Sequence, residues 1–410
     1  MRRIGCFGSV AAFCMLAAPV VRAAPLQLSI EEAVARARTA SVDLNSTRKD
    51  LDVATTNLER SHAWLPSNPY FSSGAQSTTQ SGVGPNYFFL LSQQFEVAGQ
   101  RGVRMAAAQA GVEKAAAETQ NADLVLMATV KTTFIQAQVN AQRVDLARQG
   151  LEAAHRLSSE LSERRVTTEM QRLDLNVALI QESRARRDLS SAERARETSF
   201  NSLRRLVGVA PDQELSLSGA PQSSVRPAPP LAELLDRALR QRPDLVALQH
   251  AVKNAELQLD LTKREGIPNV TVSGTVSRFE GDTLAGGDVS VPVPIFQSNA
   301  PNVHDALAER QHAGFEAQQL ESTIQEEVRD ARAAFVDAGT DLETLQRDIL
   351  PKSEENFEIE QRQFERGTIG VSDLVGIQID LITARRDYLD AIEGYNEALI
   401  TLERVVGGLL

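Results

Sequence analysis

The chemistry-bearing residues of this chain are five histidines, two cysteines and many carboxylates, and their spacing offers little. His62, His155, His250, His304 and His312 are scattered along segments of helical composition. His304 and His312 could share a helix face, but metal sites use tighter spacing and further ligands. They read as solvated or packed helix histidines. Gly82, Gly84 and the Gly286-Gly287 pair fall in turn-rich stretches between strand-like runs. A phosphate-binding glycine loop instead lies between a strand and a helix. The expectation is a non-enzyme with no bound metal and no cofactor.

Two polar interruptions of long helical stretches remain. They are Arg164-Arg165-Val166-Thr167-Thr168-Glu169 and the run from Phe364, Glu365, Arg366 and Gly367 to Asp373. Gly367 and Gly370 give the second turn backbone freedom that a side chain would restrict. Asp174 and Asp373 each follow a turn by a few residues, where a carboxylate favours the helix dipole. In a trimer the same residues would form rings of like charge, which attract cations and resist ionising together.

The elements that must position these turns occur twice. Leu28-Ser-Ile-Glu-Glu-Ala-Val-Ala-Arg-Ala returns about 201 residues later as Pro229-Pro-Leu-Ala-Glu-Leu-Leu-Asp-Arg-Ala. Ala37 matches Ala238, Leu44 matches Leu245, Phe134 matches Phe335, and Asp174-Leu175 matches Asp373-Leu374. Leu203 to Gly208 matches Leu402 to Gly407. An offset this constant indicates a duplicated structural unit.

Residues 1–23 read as a secretory signal: Arg2 and Arg3, a short apolar run, then Val21-Arg22-Ala23 for cleavage. Cys6 and Cys14 lie inside it without a lipidation sequence, so no lipid anchor is expected. Of 43 basic and 54 acidic residues, loss of Arg2, Arg3 and Arg22 leaves 40 against 54, a net charge of −14. That balance argues against nucleic acid, whose phosphates need basic surface. Past the signal no apolar run is long enough to cross a bilayer as a helix.

Two units are read, 24–220 and 221–410. In the first, helices at 28–63 precede strands within about 70–97 and long helices over about 100–207. In the second, strands fall within about 269–296 and long helices over about 302–406, with a perturbation at Pro351. The turns are placed at 80–85 and at Gly281–Gly287, and Val289, Val291, Val293 and Ile295 are taken as one strand face. Each strand has the length and alternation of a tilted barrel strand. Four strands cannot close a barrel and open edges are not tolerated in lipid, so if these strands cross a membrane several copies must pool them. Three copies give twelve strands. The fold class is therefore mainly α, a coiled-coil α-barrel plus a trimeric 12-stranded β-barrel. A solid coiled-coil rod, a structural periplasmic protein, is the competing reading; matched strand hairpins have no use in a rod.

The duplication, the hairpins and Arg366-Gly-Thr-Ile-Gly-Val-Ser-Asp-Leu374 resemble the TolC family of outer-membrane efflux factors. Gln94-Phe-Glu-Val-Ala-Gly-Gln-Arg-Gly-Val-Arg104 and Val291-Pro-Val-Pro-Ile-Phe-Gln-Ser-Asn299 resemble the strand-to-helix junctions of its heavy-metal, CzcC-like branch. The resemblance implies a homotrimer in outer-membrane lipid of a Gram-negative bacterium, with a periplasmic helical tunnel. It also implies a periplasmic adaptor and a proton-driven inner-membrane pump of the resistance-nodulation-division type. An aspartate at the Asp373 position lines the tip constriction in that family; Asp174 follows only by internal repetition. Ile369 and Gly376 stand where the drug-and-toxin branch has an arginine and a second acidic ring. Its closed-state links therefore do not transfer, and Arg164, Arg165, Glu169, Glu365 and Arg366 are the expected substitutes at the gate. Metal cations are the expected cargo, with small organic compounds or type I protein secretion as alternatives.

Overall fold

Residues 100–163 combine alanine, glutamine, glutamate and arginine without a proline, and they form one helix. The computed structural model describes residues 26–77, 84–163, 167–296 and 298–409. The expected signal segment, most of the first hairpin turn, and Arg164 and Arg165 lie outside the described residues. The first half runs β1 (Leu26–Leu28), α1 (Ile30–Ala40), α2 (Val42–Ser61), β2 (Tyr70–Gln76), β3 (Asn86–Phe95), α3 (Gln100–Glu163) and α4 (Glu169–Leu206). β4 (Leu215–Leu217) follows in the connection. The second half runs α5 (Leu231–Gln241), α6 (Pro243–Glu265), β5 (Val270–Phe279), β6 (Asp282–Ser290), α7 (Ala300–Thr344), α8 (Leu350–Glu365) and α9 (Val371–Val405). α3 has 64 residues and extends for about 96 Å.

Local chemistry sets the helix ends. Ser29 Oγ accepts from Glu32 N at 3.2 Å while the Glu32 carboxylate accepts from Ser29 N at 2.9 Å. Thr168 and Gln171 exchange the same pair of bonds at the start of α4. Gly208 and Gly407, matched across the repeat, both take positive φ (66° and 87°) just past α4 and α9. Between α7 and α8, Leu345–Ile349 forms a π turn directly before Pro351. Proline lacks an N–H and crowds the carbonyl four residues back, and the wider turn absorbs both effects.

The matched residues form the core in both halves. Ala37 and Ala238, Leu44 and Leu245, Phe134 and Phe335, Leu203 and Leu402, and Val207 and Val406 are all buried. One apolar cluster joins Phe134, Leu203 and Val130 to α1; another joins Phe335, Tyr395 and Leu402 to α5 and α6. The connection between the halves is tied to α9: Arg226 N donates to Tyr395 Oη at 2.8 Å, and Asn396 exchanges two bonds with the Gln222 backbone. The parallel pair β1–β4 belongs to this region and was absent from the sequence reading, because three-residue strands carry no alternation.

β2, β3, β5 and β6 form one antiparallel sheet in the order β2-β3-β5-β6. Its register places Phe71, Tyr87, Phe89, Leu91, Phe95, Val270, Val272, Val276, Ala285 and Val289 on one face, together with Ser73, Gln93, Arg278 and Thr283. Ser72, Ser92, Gln94, Thr271, Ser273, Thr275, Ser277, Asp288 and Ser290 lie among the residues of the other. The second hairpin corrects the sequence reading. Its turn is only Glu280-Gly281, both at positive φ (54° and 101°), and Gly286 and Gly287 pair inside β6 with Thr275 and Gly274. β6 then ends at Ser290, not Ile295, since Pro292 and Pro294 cannot donate to a ladder.

Ion pairs fasten the short helices to the long ones. Arg38 meets Asp123 at 2.7 Å, and Arg242, only 6% exposed, binds Asp244 at 2.6 Å and Glu327. Burial would lower the Arg242 pKa, but the two carboxylates outweigh it and raise it. Asp244→Ala with Glu327→Ala strands this buried charge and should destabilise the chain by about 3–5 kcal/mol in urea unfolding. Arg242→Met should cost clearly less.

Candidate functional site: the helix hairpin ends and the strand junctions

Both hairpin ends are held by apolar packing just above the turns. Leu157, Leu161, Ala178, Val371, Leu374 and Val375 form a cluster that fixes α3 and α4 to α9. Gly367 has φ +72°, and Thr368 donates from both N and Oγ1 to Gln363 O, at 3.0 and 2.8 Å. Asp373 is exposed and its Oδ2 accepts from Gly370 N at 3.1 Å, so it caps its own helix. Asp174 is half-buried and lines a cleft of about 630 Å³ with Glu160, Gln171, Glu365, Arg366, Gly367 and Gly370. The structure therefore brings Asp174, Glu365, Arg366, Gly367 and Gly370 together. Glu169 is exposed in the first turn of α4. Glu160 joins the cleft without having been picked out by sequence, since nothing in its local pattern marks it.

Polar contacts between distant segments were also illegible in the sequence. Glu182 on α4 accepts from Ser158 Oγ at 2.6 Å and lies 3.3 Å from His155 Nδ1. The Ser158 hydroxyl, followed by His155, holds its pKa below the usual carboxylate value. Along the α3–α9 seam, Lys131 meets Glu403 at 2.8 Å, and Gln136 donates to Glu397 at 2.8 Å. Arg143 lies 2.5 Å from Asp390 and 2.6 Å from Glu393. Of the other histidines, His250 lies 3.1 Å from Glu113 and His312 lies 3.6 Å from Glu316.

The junction motifs explain themselves in the fold. Glu96 and Arg104 pair at 2.5 Å across the turn between β3 and α3. Gly99 has φ +70°, and a side chain there would meet Arg264, whose guanidinium donates to Ala98 O at 3.2 Å. Buried Gln100 accepts from Ala98 N at 2.9 Å and donates to Asn269 Oδ1 at 3.3 Å and Arg264 O at 3.4 Å. Its counterpart at the start of α7, Asn299, donates to Thr262 O. Both long helices thus begin by gripping the end of α6, which locks the sheet to the helices.

Burial pushes the Glu393 pKa above the usual carboxylate value, against the pull of Arg143 and with help from Glu397 and Asp390. A group bound to its proton more tightly in the folded state adds stability at low pH that is lost as pH rises through the folded value. Unfolding free energy of the wild type should therefore fall relative to Glu393→Gln as pH rises above the ordinary glutamate value. A parallel pair of curves would show that Glu393 is not the group responsible.

Among the described residues no helix is long and apolar enough to cross a membrane. Residues 234–408 match the family model described as outer membrane efflux protein. The cobalt-zinc-cadmium resistance protein CzcC of Cupriavidus metallidurans is 24% identical over 385 residues, covering 93% of this chain and 90% of its own. Among solved structures, a membrane protein from Pseudomonas aeruginosa aligns with a TM-score of 0.78 at 19% identity, covering 93% of this chain and 90% of that one. CusC, described in terms of transmembrane channel formation, aligns at 0.77 with 16% identity and 92% of both chains covered. The open-state MtrE outer membrane channel of Neisseria gonorrhoeae aligns at 0.75 with 18% identity, 92% of this chain and 89% of that one. These likenesses give the fold. Over residues 234–408 the sequence is in addition similar to the outer membrane efflux protein family.

Proposed function

We propose that this chain is an outer membrane efflux channel, the passive exit duct of a tripartite system, built as a homotrimer whose three sheets close a 12-stranded barrel. The observation that carries this reading is the sheet itself. One face is mainly apolar, broken by Ser73, Gln93, Arg278 and Thr283. The other is rich in hydroxyls and amides but also carries Phe88, Leu90, Phe279 and Leu284, and β2 and β6 are the two outer strands of the sheet. A lipid layer accepts the first face, water the second, and neither edge is tolerable until a neighbour pairs with it. The two units, 24–220 and 221–410, then each supply one strand hairpin and one helix hairpin to the wall.

The partners are a periplasmic adaptor and a proton-driven inner-membrane pump of the resistance-nodulation-division type. Heavy-metal cations are the favoured cargo, supported by the likeness to a cobalt-zinc-cadmium resistance protein and by the carboxylates near the hairpin ends. The gate lies where Asp174, Glu365 and Arg366 share one cleft, with Glu169 beside it and Asp373 on the adjoining helix turn. Arg164 and Arg165 belong to the same turn in sequence.

Phe89→Arg should abolish the heat-modifiable trimer in outer-membrane fractions, since an arginine at mid-bilayer costs about 2–4 kcal/mol per chain. Ser273→Arg, on the opposite face, should leave the trimer intact and lower its conductance in planar bilayers. Equal behaviour of the two variants would mean that the faces are not divided between lipid and water.

Asp373→Asn keeps the cap acceptor and removes the charge, so stability should change by less than about 0.5 kcal/mol. If Asp373 forms a ring, cation-over-anion selectivity falls, and a deletion strain carrying this variant regains less tolerance to zinc, cobalt or cadmium than one carrying the wild type. Unchanged selectivity would leave Asp373 with the cap alone. Full recovery of tolerance to organic drugs but not metals by the wild-type gene would move the cargo to the alternative class.

A further inference from the structure

The mainly apolar face of the sheet is built of cross-strand rows. Phe89, Val276 and Ala285 share one row, and Leu91, Gly274 and Gly287 share the next towards the helices. The last row before the turn of the second hairpin is different. There Tyr87 on β3, Arg278 on β5 and Thr283 on β6 stand side by side, with Ala75 on β2 completing the row. A phenol, a guanidinium and a hydroxyl thus stand together at the end of the sheet remote from the helices. Neighbouring strands lie about 4.8 Å apart, so the three donors span about 10 Å.

Among the described residues none of these three side chains has a hydrogen-bond or ion-pair partner. The Tyr87 ring packs on Phe89, with 5.7 Å between centroids. Carboxylates are close in sequence but do not answer the charge. Asp282 pairs with Phe279 and so falls on the opposite face. Glu280 sits in the turn, where its N–H donates to Asn86 Oδ1 at 2.9 Å.

An arginine on a lipid-facing surface is costly at mid-bilayer and tolerated near the headgroups. Strand length puts Arg278 at the tolerated level. From Val270 to Arg278 the strand rises about 26 Å, or about 20 Å vertically at a barrel tilt of about 40°. That is most of an apolar band about 25 Å tall. A carboxylate offers two oxygens in one plane, which a guanidinium alone can satisfy. Three donors on three strands instead suit a tetrahedral phosphate, whose oxygens accept from several directions.

We propose that Tyr87, Arg278 and Thr283 form a lipid-binding site that takes the phosphate monoester headgroup of an acidic lipid in the leaflet remote from the helices. This inference rests on the membrane reading above. The acyl chains then lie along the rows of Phe89, Val276, Leu91 and Val272, and the arginine keeps its charge paired without leaving the lipid face.

The test uses the full-length protein in nanodiscs of phosphatidylcholine, either plain or doped with phosphatidic acid or with diacylglycerol. Lipid retained on the trimer after extraction is counted by native mass spectrometry, and the temperature of trimer dissociation is read on gels. The wild type should retain phosphatidic acid in preference to diacylglycerol and should dissociate at a higher temperature with it. Arg278→Gln should lower that retention about tenfold, the loss expected of one charge-assisted hydrogen bond. Tyr87→Phe with Thr283→Ala, which leaves the charge in place, should lower it several-fold. Equal retention by the wild type and Arg278→Gln overturns the site, as does equal retention of diacylglycerol by the wild type. Equal protection by inorganic phosphate in plain discs gives the site to a free anion and overturns the lipid assignment. If Arg278→Gln fails to assemble, the Tyr87→Phe/Thr283→Ala variant decides, and unchanged retention there overturns the row. A wild type that stays in water and enters no disc overturns the membrane reading and this site with it.

Discussion

An unpaired strand edge has nowhere to put its N–H and C=O groups in lipid, and each group left unsatisfied there costs several kcal/mol. β2 and β6 are the two outer strands of a sheet with one mainly apolar face, which the proposed function places in such a solvent. The rest of the molecule follows from that constraint. The sheet must be presented by rigid supports at a height and angle that let copies of it meet. Helices as long as α3 and α7 are stiff enough to do this only if the strand-to-helix turns are themselves fixed. Gln100, Arg264 and Asn299 supply that fixing through backbone bonds to one shared helix end.

The duplication distributes the same work twice. Phe134 and Phe335 sit at equivalent depths in two cores, and paired glycines at 208 and 407 release the chain from equivalent helices. Between the cores the α3–α9 seam adds polar contacts to the apolar packing of Ile135 and Val139 against Leu389 and Ile392. Lys131, Gln136 and Arg143 meet carboxylates along it, which fixes the axial register of one half against the other more sharply than leucine packing does. Register matters here because any axial slip would carry one hairpin end past its neighbour.

Much of this architecture was legible in the residues. The start of β2 at Tyr70, the start of β3 at Asn86 and the beginning of α3 near Gln100 follow from alternation and from proline-free, alanine-rich composition. The hairpin ends were readable because Thr168, Gly367 and Gly370 are cap and turn residues. Glu280-Gly281 misled for a physical reason: two left-handed residues close the turn, so the glycines beyond it are free to pair as strand. The grouping of Asp174 with Glu160 and Arg366, and the Glu182–Ser158–His155 contact, depend on segments remote in sequence or on different helices. Their residue types are ordinary surface types. Only packing reveals them.

The π turn at Leu345–Ile349 carries a last consequence. Such a turn holds one residue more than its α-helical equivalent, so everything beyond it is advanced by about 100° around the axis. The stripe through Phe335 and Leu342 that α7 buries is consequently out of phase with α8. α3 descends through the corresponding level as one unbroken helix. The two descendants of a single ancestral unit have therefore lost their rotational equivalence below this point, and in the proposed trimer the lower wall would have the symmetry of the copies alone.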